Sequence, residues 1–339
     1  MKTQIQSLFL TLSFLAGIHQ AAAQNIYVAD TGSGNIYEYT TNGTRSTFAS
    51  GLTQPLALAF DSAGNLFVSA TPDYLQGAIY KYTPDGVSHT FPVSNLEDPV
   101  GLAFDSSGNL YVGDGGFNNG IFEIAPNGTQ LNFISEESGS YGIGFDSAGD
   151  LFSTFDGGNS ILEYATNGTQ TNFAYGLNIT GLAVDSAGNV YVSVNQPNGN
   201  IYKFTTNQLQ STFATGLDGP VGMAFDSAGN LYVTCSSGNT IVKITPDGRT
   251  QSTFATGLNG PQGIAIDPIP SFSVNIKMFA GVILNNGQIG SNYLIQAISN
   301  LSTTNWTTLT NVTLPSNPYI YIDYNSPTNS QQFYRAVEQ

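Results

Sequence analysis

The chain has 339 residues, with 8 Lys and Arg against 23 Asp and Glu, a formal charge of −15, and only 9% of residues charged. Low charge combined with 38 Gly, 18 Tyr and 21 Phe excludes a solvated disordered chain and disfavours long amphipathic helices. Two His and one Cys exclude a disulfide scaffold and starve a zinc site of its usual ligands, while scarce Lys and Arg leave a nucleic-acid partner facing repulsion.

Residues 1–23 read as a signal peptide. Lys2 gives a short basic start, and Leu8 to Ala16 is an apolar stretch too short to span a bilayer. Ala21-Ala22-Ala23 supplies small residues for cleavage before Gln24. The expectation is export to the periplasm or the extracellular medium, with no membrane insertion, since no later segment reaches about 18 consecutive apolar residues. After cleavage His89 is the only histidine, and the lone Cys235 reads as a small buried filler in a strand.

From there the chain repeats. The anchors are LALAFDSAGNLFV from Leu56, VGLAFDSSGNLYV from Val100, YGIGFDSAGDLFS from Tyr141, TGLAVDSAGNVYV from Thr180 and VGMAFDSAGNLYV from Val221. A sixth, QGIAIDP from Gln262, stops halfway. Their aspartates (Asp61, Asp105, Asp146, Asp185, Asp226 and Asp267) are spaced by 44, 41, 39, 41 and 41 residues, the period of four-stranded propeller blades.

Each unit reads as four short strands. The D-x-x-G segment after the first is a tight turn in which the carboxylate accepts local backbone N–H groups. Between the third and fourth strands, Asn42-Gly43, Asp85-Gly86, Asn127-Gly128, Asn167-Gly168 and Asp247-Gly248 are hairpin signals, and Asn207-Gln208 departs from them. The fourth strand carries a phenylalanine (Phe48, Phe91, Phe133, Phe173, Phe213 and Phe254), placed to bury aromatic area between blades. Residues 25–49 hold strands two to four of a blade, and Gln262 to Asp267 hold a first strand alone. Joining the two predicts an all-β, six-bladed propeller over 24–268, closed by a 1+3 strand arrangement that leaves no open edge.

These repeats, with Gly-Pro before the first strand and D-S-A-G-N-L-Y-V after it, resemble NHL-type repeats. They are also similar to the wider superfamily that holds the gluconolactonase group and streptogramin lyase. The likeness to streptogramin lyase implies a histidine base near a bound metal, which a mature chain with one histidine does not supply. The likeness to the gluconolactonase group implies a divalent ion held by Glu, Asn and Asp at the channel mouth. Residues 269–339 lack the anchors. Five apolar or aromatic runs there (Phe272 to Leu284, Tyr293 to Ile298, Trp306 to Leu314, Tyr319 to Tyr324 and Phe333 to Val337) predict a small antiparallel β-sandwich-like domain. It resembles the short C-terminal β modules ending in F-Y-R-A of many secreted bacterial proteins.

Candidate site residues gather on one face of the predicted ring, where the loops between strands two and three meet the crossings into the next blade. The loops carry Asp30, Asp73, Asp114 and Asp156, and the crossings add Glu97, Asp98, Glu136, Glu137 and Asp218, with no Lys or Arg. A rim of one sign concentrates cations. Asp30, Asp114 and Asp156, with Asn118 and Asn159 from the glycine-rich loops, are the candidate oxygen ligands for Ca²⁺. The competing reading is an acidic secreted surface with Asp-rich turns. Tyr74, Phe117, Phe155 and Asn195 complete the face, the aromatics offering planes on which sugar rings stack. The innermost strands hold no carboxylate or basic residue, and no nucleophile–base motif is present. The sequence thus predicts a monomeric, exported, non-catalytic binding protein whose partner is an extracellular protein, a glycan or a cationic ligand. The alternative is a metal-dependent, lactonase-like hydrolase.

Overall fold

The computed structural model describes residues 24–73, 76–116, 120–135, 139–155 and 160–268, and the C-terminal strands within 280–338. Six four-stranded antiparallel sheets form a six-bladed β-propeller. Blade 1 contains β1 (Ile26–Asp30), β2 (Asn35–Tyr39) and β3 (Arg45–Ala49). Blade 2 is β4 (Pro55–Phe60), β5 (Leu66–Asp73), β6 (Gln76–Tyr82) and β7 (Ser88–Phe91). Blade 3 is β8 (Pro99–Phe104), β9 (Leu110–Asp114), β10 (Gly120–Ile124) and β11 (Gln130–Ser135). Blade 4 is β12 (Ser140–Phe145), β13 (Leu151–Phe155), β14 (Ser160–Tyr164) and β15 (Gln170–Tyr175). Blade 5 is β16 (Ile179–Val184), β17 (Val190–Val194), β18 (Gly199–Phe204) and β19 (Gln210–Leu217). Blade 6 is β20 (Pro220–Phe225), β21 (Leu231–Cys235), β22 (Thr240–Ile244) and β23 (Gln251–Ala255).

The ring closes as expected from the half repeats. The last strand of the array, β24 (Pro261–Ile266), pairs antiparallel with β1, giving blade 1 the order β24-β1-β2-β3. Asn25 and Asp267 join through Asp267 N–H to the Asn25 carbonyl at 2.9 Å, and the Gln24 carboxamide donates to the Asp267 carbonyl at 3.1 Å. Both open edges are thereby consumed.

Consecutive first strands approach backbone to backbone around the axis. A Cβ on Gly101 would stand 2.7 Å from the Tyr141 carbonyl oxygen, and one on Gly142 would stand 2.7 Å from the Leu182 nitrogen. Added at Gly181, Gly222 or Gly263, it would overlap the carbonyl of Val221, Gln262 or Leu56 in the next blade. The residue type at this third position follows from that approach. Near the same point the pairing of first and second strands shifts register in every blade. A bulge of this kind leaves a buried N–H without a ladder partner. In four blades a hydroxyl from the second strand takes it: Ala57 N–H to Ser69 Oγ, Gly142 to Thr154 Oγ1, Gly181 to Ser193 Oγ and Gly222 to Thr234 Oγ1, each at 2.9 Å. Ser193 and Thr234 then donate to the Val221 and Gln262 carbonyls of the following blade at 2.8 and 2.5 Å.

Farther out, aromatic rings join the blades. The strand-two ring receives the fourth-strand Phe of its own blade and the first-strand Phe of the next, edge to face. Examples are Tyr27 with Phe48 and Phe60, Phe67 with Phe91 and Phe104, and Tyr191 with Phe213 and Phe225, at 4.9–5.1 Å between centroids. The fourth-strand Phe also crosses the seam, as Phe48 does to Tyr82 and Phe254 to Tyr39. Such pairs add about 0.5–1.5 kcal/mol each beyond their buried area.

The chain divides into two compact units at Ser271/Phe272. In the second, β25 (Ala280–Leu284) pairs with β28 (Tyr319–Asp323). The strands β26 (Asn292–Ile298), β27 (Thr307–Thr313) and β29 (Phe333–Glu338) form an antiparallel sheet in the order β27-β26-β29.

Gly181→Ala drives a methyl into the Val221 carbonyl. The variant is expected to lose about 2 kcal/mol or more of ring stability, measured as a lower urea midpoint. An unchanged midpoint would show that the first strands tolerate a wider spacing.

Candidate functional site: the channel mouth

Alternation of strand direction puts the D-x-x-G turns at one end of the ring, and the crossings and two–three loops at the other. The turn aspartates are structural. In each of the five complete turns Oδ1 accepts two backbone N–H groups, as Asp61 does from Ala63 at 3.0 Å and Asn65 at 2.8 Å. Three of them also bind a third-strand lysine: Lys81 to Asp61 at 3.6 Å, and Lys203 to Asp185 and Lys243 to Asp226 at 3.9 Å. Each ammonium lies over the strand-two ring beside it. At the hairpin without glycine, Gln208 itself adopts φ +61°.

At the other end the axis opens into a cavity of about 910 Å³. Its mouth is lined by Gln54, Thr71, Asp98, Tyr141, Thr180 and Asn195, and its deeper wall by Leu58, Leu102, Ile143, Leu182, Met223 and Ile264, one from each blade. Strand geometry explains the division. The second and fourth residues of a first strand point into the channel, and the third faces the neighbouring blade. The fourth position is apolar throughout. The second varies (Leu56, Val100, Tyr141, Thr180, Val221, Gln262), so it individualises the mouth.

Of the acids expected at the mouth, Asp98 lies there, and the expected Asn195 of blade 5 also lines it, exposed. Thr71 Oγ1 donates to Asp98 Oδ1 at 2.9 Å, and among the described residues Oδ2 accepts no hydrogen bond. Glu97 is half-buried next to it. Asp30 and Asp114 differ from their expected role as open loop ligands. They end β1 and β9 with side chains 1% and 0% exposed, and neither lines the cavity. Asp30 accepts Asn259 N–H at 2.6 Å and the Ser33 hydroxyl at 2.5 Å, tying the start of the ring to its end. Asp114 accepts N–H groups from Glu97 at 2.9 Å, Asp98 at 2.7 Å and Gly116 at 3.1 Å. Both carboxylates clasp the crossing that enters their own blade, and Asp114 thereby sets the backbone from which Asp98 projects.

Asp73 ends β5 opposite Gln76, and Phe155 ends β13 opposite Ser140 and Ser160, with their side chains outside the described set. Tyr74, Phe117, Asn118, Glu136, Glu137, Asp156 and Asn159 lie outside the described residues. Among the described residues no three His, Cys, Asp or Glu side chains converge to hold a metal ion. His89 is exposed on β7, the outer strand of blade 2, and Cys235 is buried, where desolvation pushes its thiol up to about 11. Gln54, Thr71, Tyr141 and Thr180 were not among the sequence candidates. For Tyr141 and Thr180 a signal existed, since the opening position of the anchor, the second of each first strand, is the one at which these strands disagree most in polarity.

No family model matches the chain, and no curated protein is similar to it in sequence. Solved structures are similar in fold. A streptogramin B lyase aligns with 17% identity and a TM-score of 0.56, over 70% of this chain and 82% of that one. The virginiamycin B lyase of Staphylococcus aureus aligns at 20% identity and 0.50, over 62% and 73%. A gluconolactonase of Xanthomonas campestris aligns at 16% identity and 0.55, over 62% and 79%. The chain therefore shares its propeller fold with these proteins. At such identities the likeness is one of fold.

Burial raises the Asp114 carboxyl above the usual carboxylate range, and its three N–H bonds oppose that rise without cancelling it. A carboxyl with a higher pKa folded than unfolded contributes stability that falls as pH rises from the unfolded value through the folded one. Asp114→Asn turns an amide against backbone donors and should cost about 1–3 kcal/mol. The gap to wild type should narrow as pH rises through that window in thermal melts. A widening gap would contradict the shift.

Proposed function

We propose that this is an exported binding protein that admits a small, positively charged ligand to the variable-face mouth of its channel. The observation that carries this reading is Asp98: a carboxylate at the mouth of a large cavity, anchored through one oxygen by Thr71. Its surroundings strengthen it. The ring's Lys81, Lys203 and Lys243 are tied to turn aspartates, Arg249 pairs with Asp247, and Arg45 stacks on Tyr37. None of them lines the cavity, so the field at the mouth attracts cations. Among the described lining residues Asp98 is the sole Asp or Glu, and neither His nor Cys accompanies it. That set suits recognition better than proton transfer or nucleophilic attack, which need paired groups. Export is supported by the apolar stretch and small-residue cleavage pattern of residues 1–23.

The test is calorimetry with n-butylammonium and with 1-butanol as its uncharged counterpart. Wild type should bind the cation at millimolar concentration and prefer it to the alcohol. Asp98→Asn should lower its affinity about tenfold, equivalent to about 1.4 kcal/mol. Equal affinity for both probes would defeat the proposal.

A second reading, a metal-dependent hydrolase of the lactonase kind, is favoured by the fold likeness to a gluconolactonase. Against it stands the use of the Asp30 and Asp114 oxygens, which accept backbone N–H groups and, at Asp30, the Ser33 hydroxyl. Ca²⁺ titration and turnover of a lactone panel with and without EDTA separate the readings. The binding reading expects no EDTA-sensitive turnover, and heat of Ca²⁺ binding coupled to lactone opening would establish the hydrolase instead.

A further inference from the structure

Gln54 is held in a conformation that its own chemistry does not favour. Its φ is +47°, in the left-handed region, where side chains with a Cβ are crowded. It also precedes Pro55, and a following proline pushes a residue toward extended backbone. At the same point of the crossings into blades 6 and 1, the residue before the proline is again left-handed, but it is glycine: Gly219 before Pro220 at φ +69° and Gly260 before Pro261 at φ +63°. The fold thus accepts glycine at this position, and blade 2 carries a long carboxamide there.

Nothing local accounts for the exception. The Gln54 carbonyl accepts Thr71 N–H at 3.3 Å, a backbone interaction that glycine would make equally well. Its side chain forms no hydrogen bond with the described residues, and it stands exposed on the lining of the cavity. Strain kept at a cavity, with no structural return, is the signature of a functional contact.

We infer that Gln54 is a ligand-contacting, specificity-determining residue, and that together with Asp98 it selects an amino sugar. This deepens the channel-mouth reading and rests on it. Thr71 joins the two groups, bonding the Gln54 backbone through its N–H and the Asp98 carboxylate through its hydroxyl. An ammonium satisfies the remaining carboxylate oxygen. A carboxamide offers a donor and an acceptor together, the match for neighbouring hydroxyls on a sugar ring. Thr180 and Asn195 add polar groups from blade 5 to the same mouth. A neutral or N-acetylated sugar leaves Asp98 uncompensated.

The experiment measures stability and binding on the full chain for wild type, Gln54→Gly and Gln54→Ala, using D-glucosamine, N-acetyl-D-glucosamine and n-butylammonium. Wild type should bind glucosamine more tightly than butylammonium or the N-acetyl sugar. Gln54→Gly should melt about 1–3 °C higher, because the left-handed strain is relieved. It should nevertheless bind glucosamine about fivefold more weakly, the loss of one neutral hydrogen bond, with butylammonium binding unchanged. Gln54→Ala should show the same binding loss without the gain in melting temperature. Unaltered glucosamine affinity in Gln54→Gly, or a melting temperature that does not rise, overturns the role of Gln54 and leaves the Asp98 site standing. Failure of wild type to bind either glucosamine or butylammonium overturns both.

Discussion

The close approach of consecutive first strands around the axis is the constraint on which the rest of the molecule depends. Five glycines let the backbone of one blade lie against that of the next, and a β-bulge beside each contact frees an N–H that must be paired in a buried place. Ser69, Thr154, Ser193 and Thr234 answer that need, and two of them reach on to the following blade. At Gly142, Gly181 and Gly222 the small residue and the hydroxyl therefore act as one device. Blade 2 shows its tolerance: Ala57 replaces glycine there, yet its N–H still finds Ser69.

Close packing of the axis decides what the channel can present. The third position of each first strand is consumed by the seam, and the fourth by an apolar wall. Chemical individuality is left to the second position and to the crossings. Among the described residues that line the mouth, this leaves Asp98 as the carboxylate and Gln54, Thr71, Thr180 and Asn195 as polar neighbours. The clasp from Asp114 fixes the crossing at two successive N–H groups, so Asp98 leaves a backbone already held in place. Preorganisation of that kind limits the entropy lost when a ligand docks.

Much of the ring was legible in the letters, because its cues are local and repeated. The half repeats at either end foretold the pairing of β24 with β1, and the fourth-strand phenylalanines foretold the aromatic seams. The turn aspartates were readable as caps, since Asp61 and its equivalents bond residues two and four places ahead. Asp30 and Asp114 were harder. In sequence they look like loop acids next to glycine, but Asp30 bonds Asn259, which lies 229 residues away. A carboxylate whose partners are distant backbone groups looks in one dimension like a free ligand. Gln54 was less legible still, because a left-handed φ leaves no trace in a glutamine, whereas in Gly219 and Gly260 the residue type announces it.

The two ends of the ring also divide the charge between them, and the division follows from the strand pattern. On third strands the residue opposite the strand-two aromatic is Glu38, Lys81, Glu123, Glu163, Lys203 or Lys243. Where it is lysine, the turn aspartate and the aromatic face hold it at the regular end. Where it is Glu38 or Glu123, an asparagine side chain bonds it instead, Asn25 in one case and Asn109 in the other. The few cations of the ring are thus used up at the end where turns need capping. A scarcity visible in the composition is, once folded, spent at one end, and no Lys or Arg stands among the described residues that line the cavity at the other.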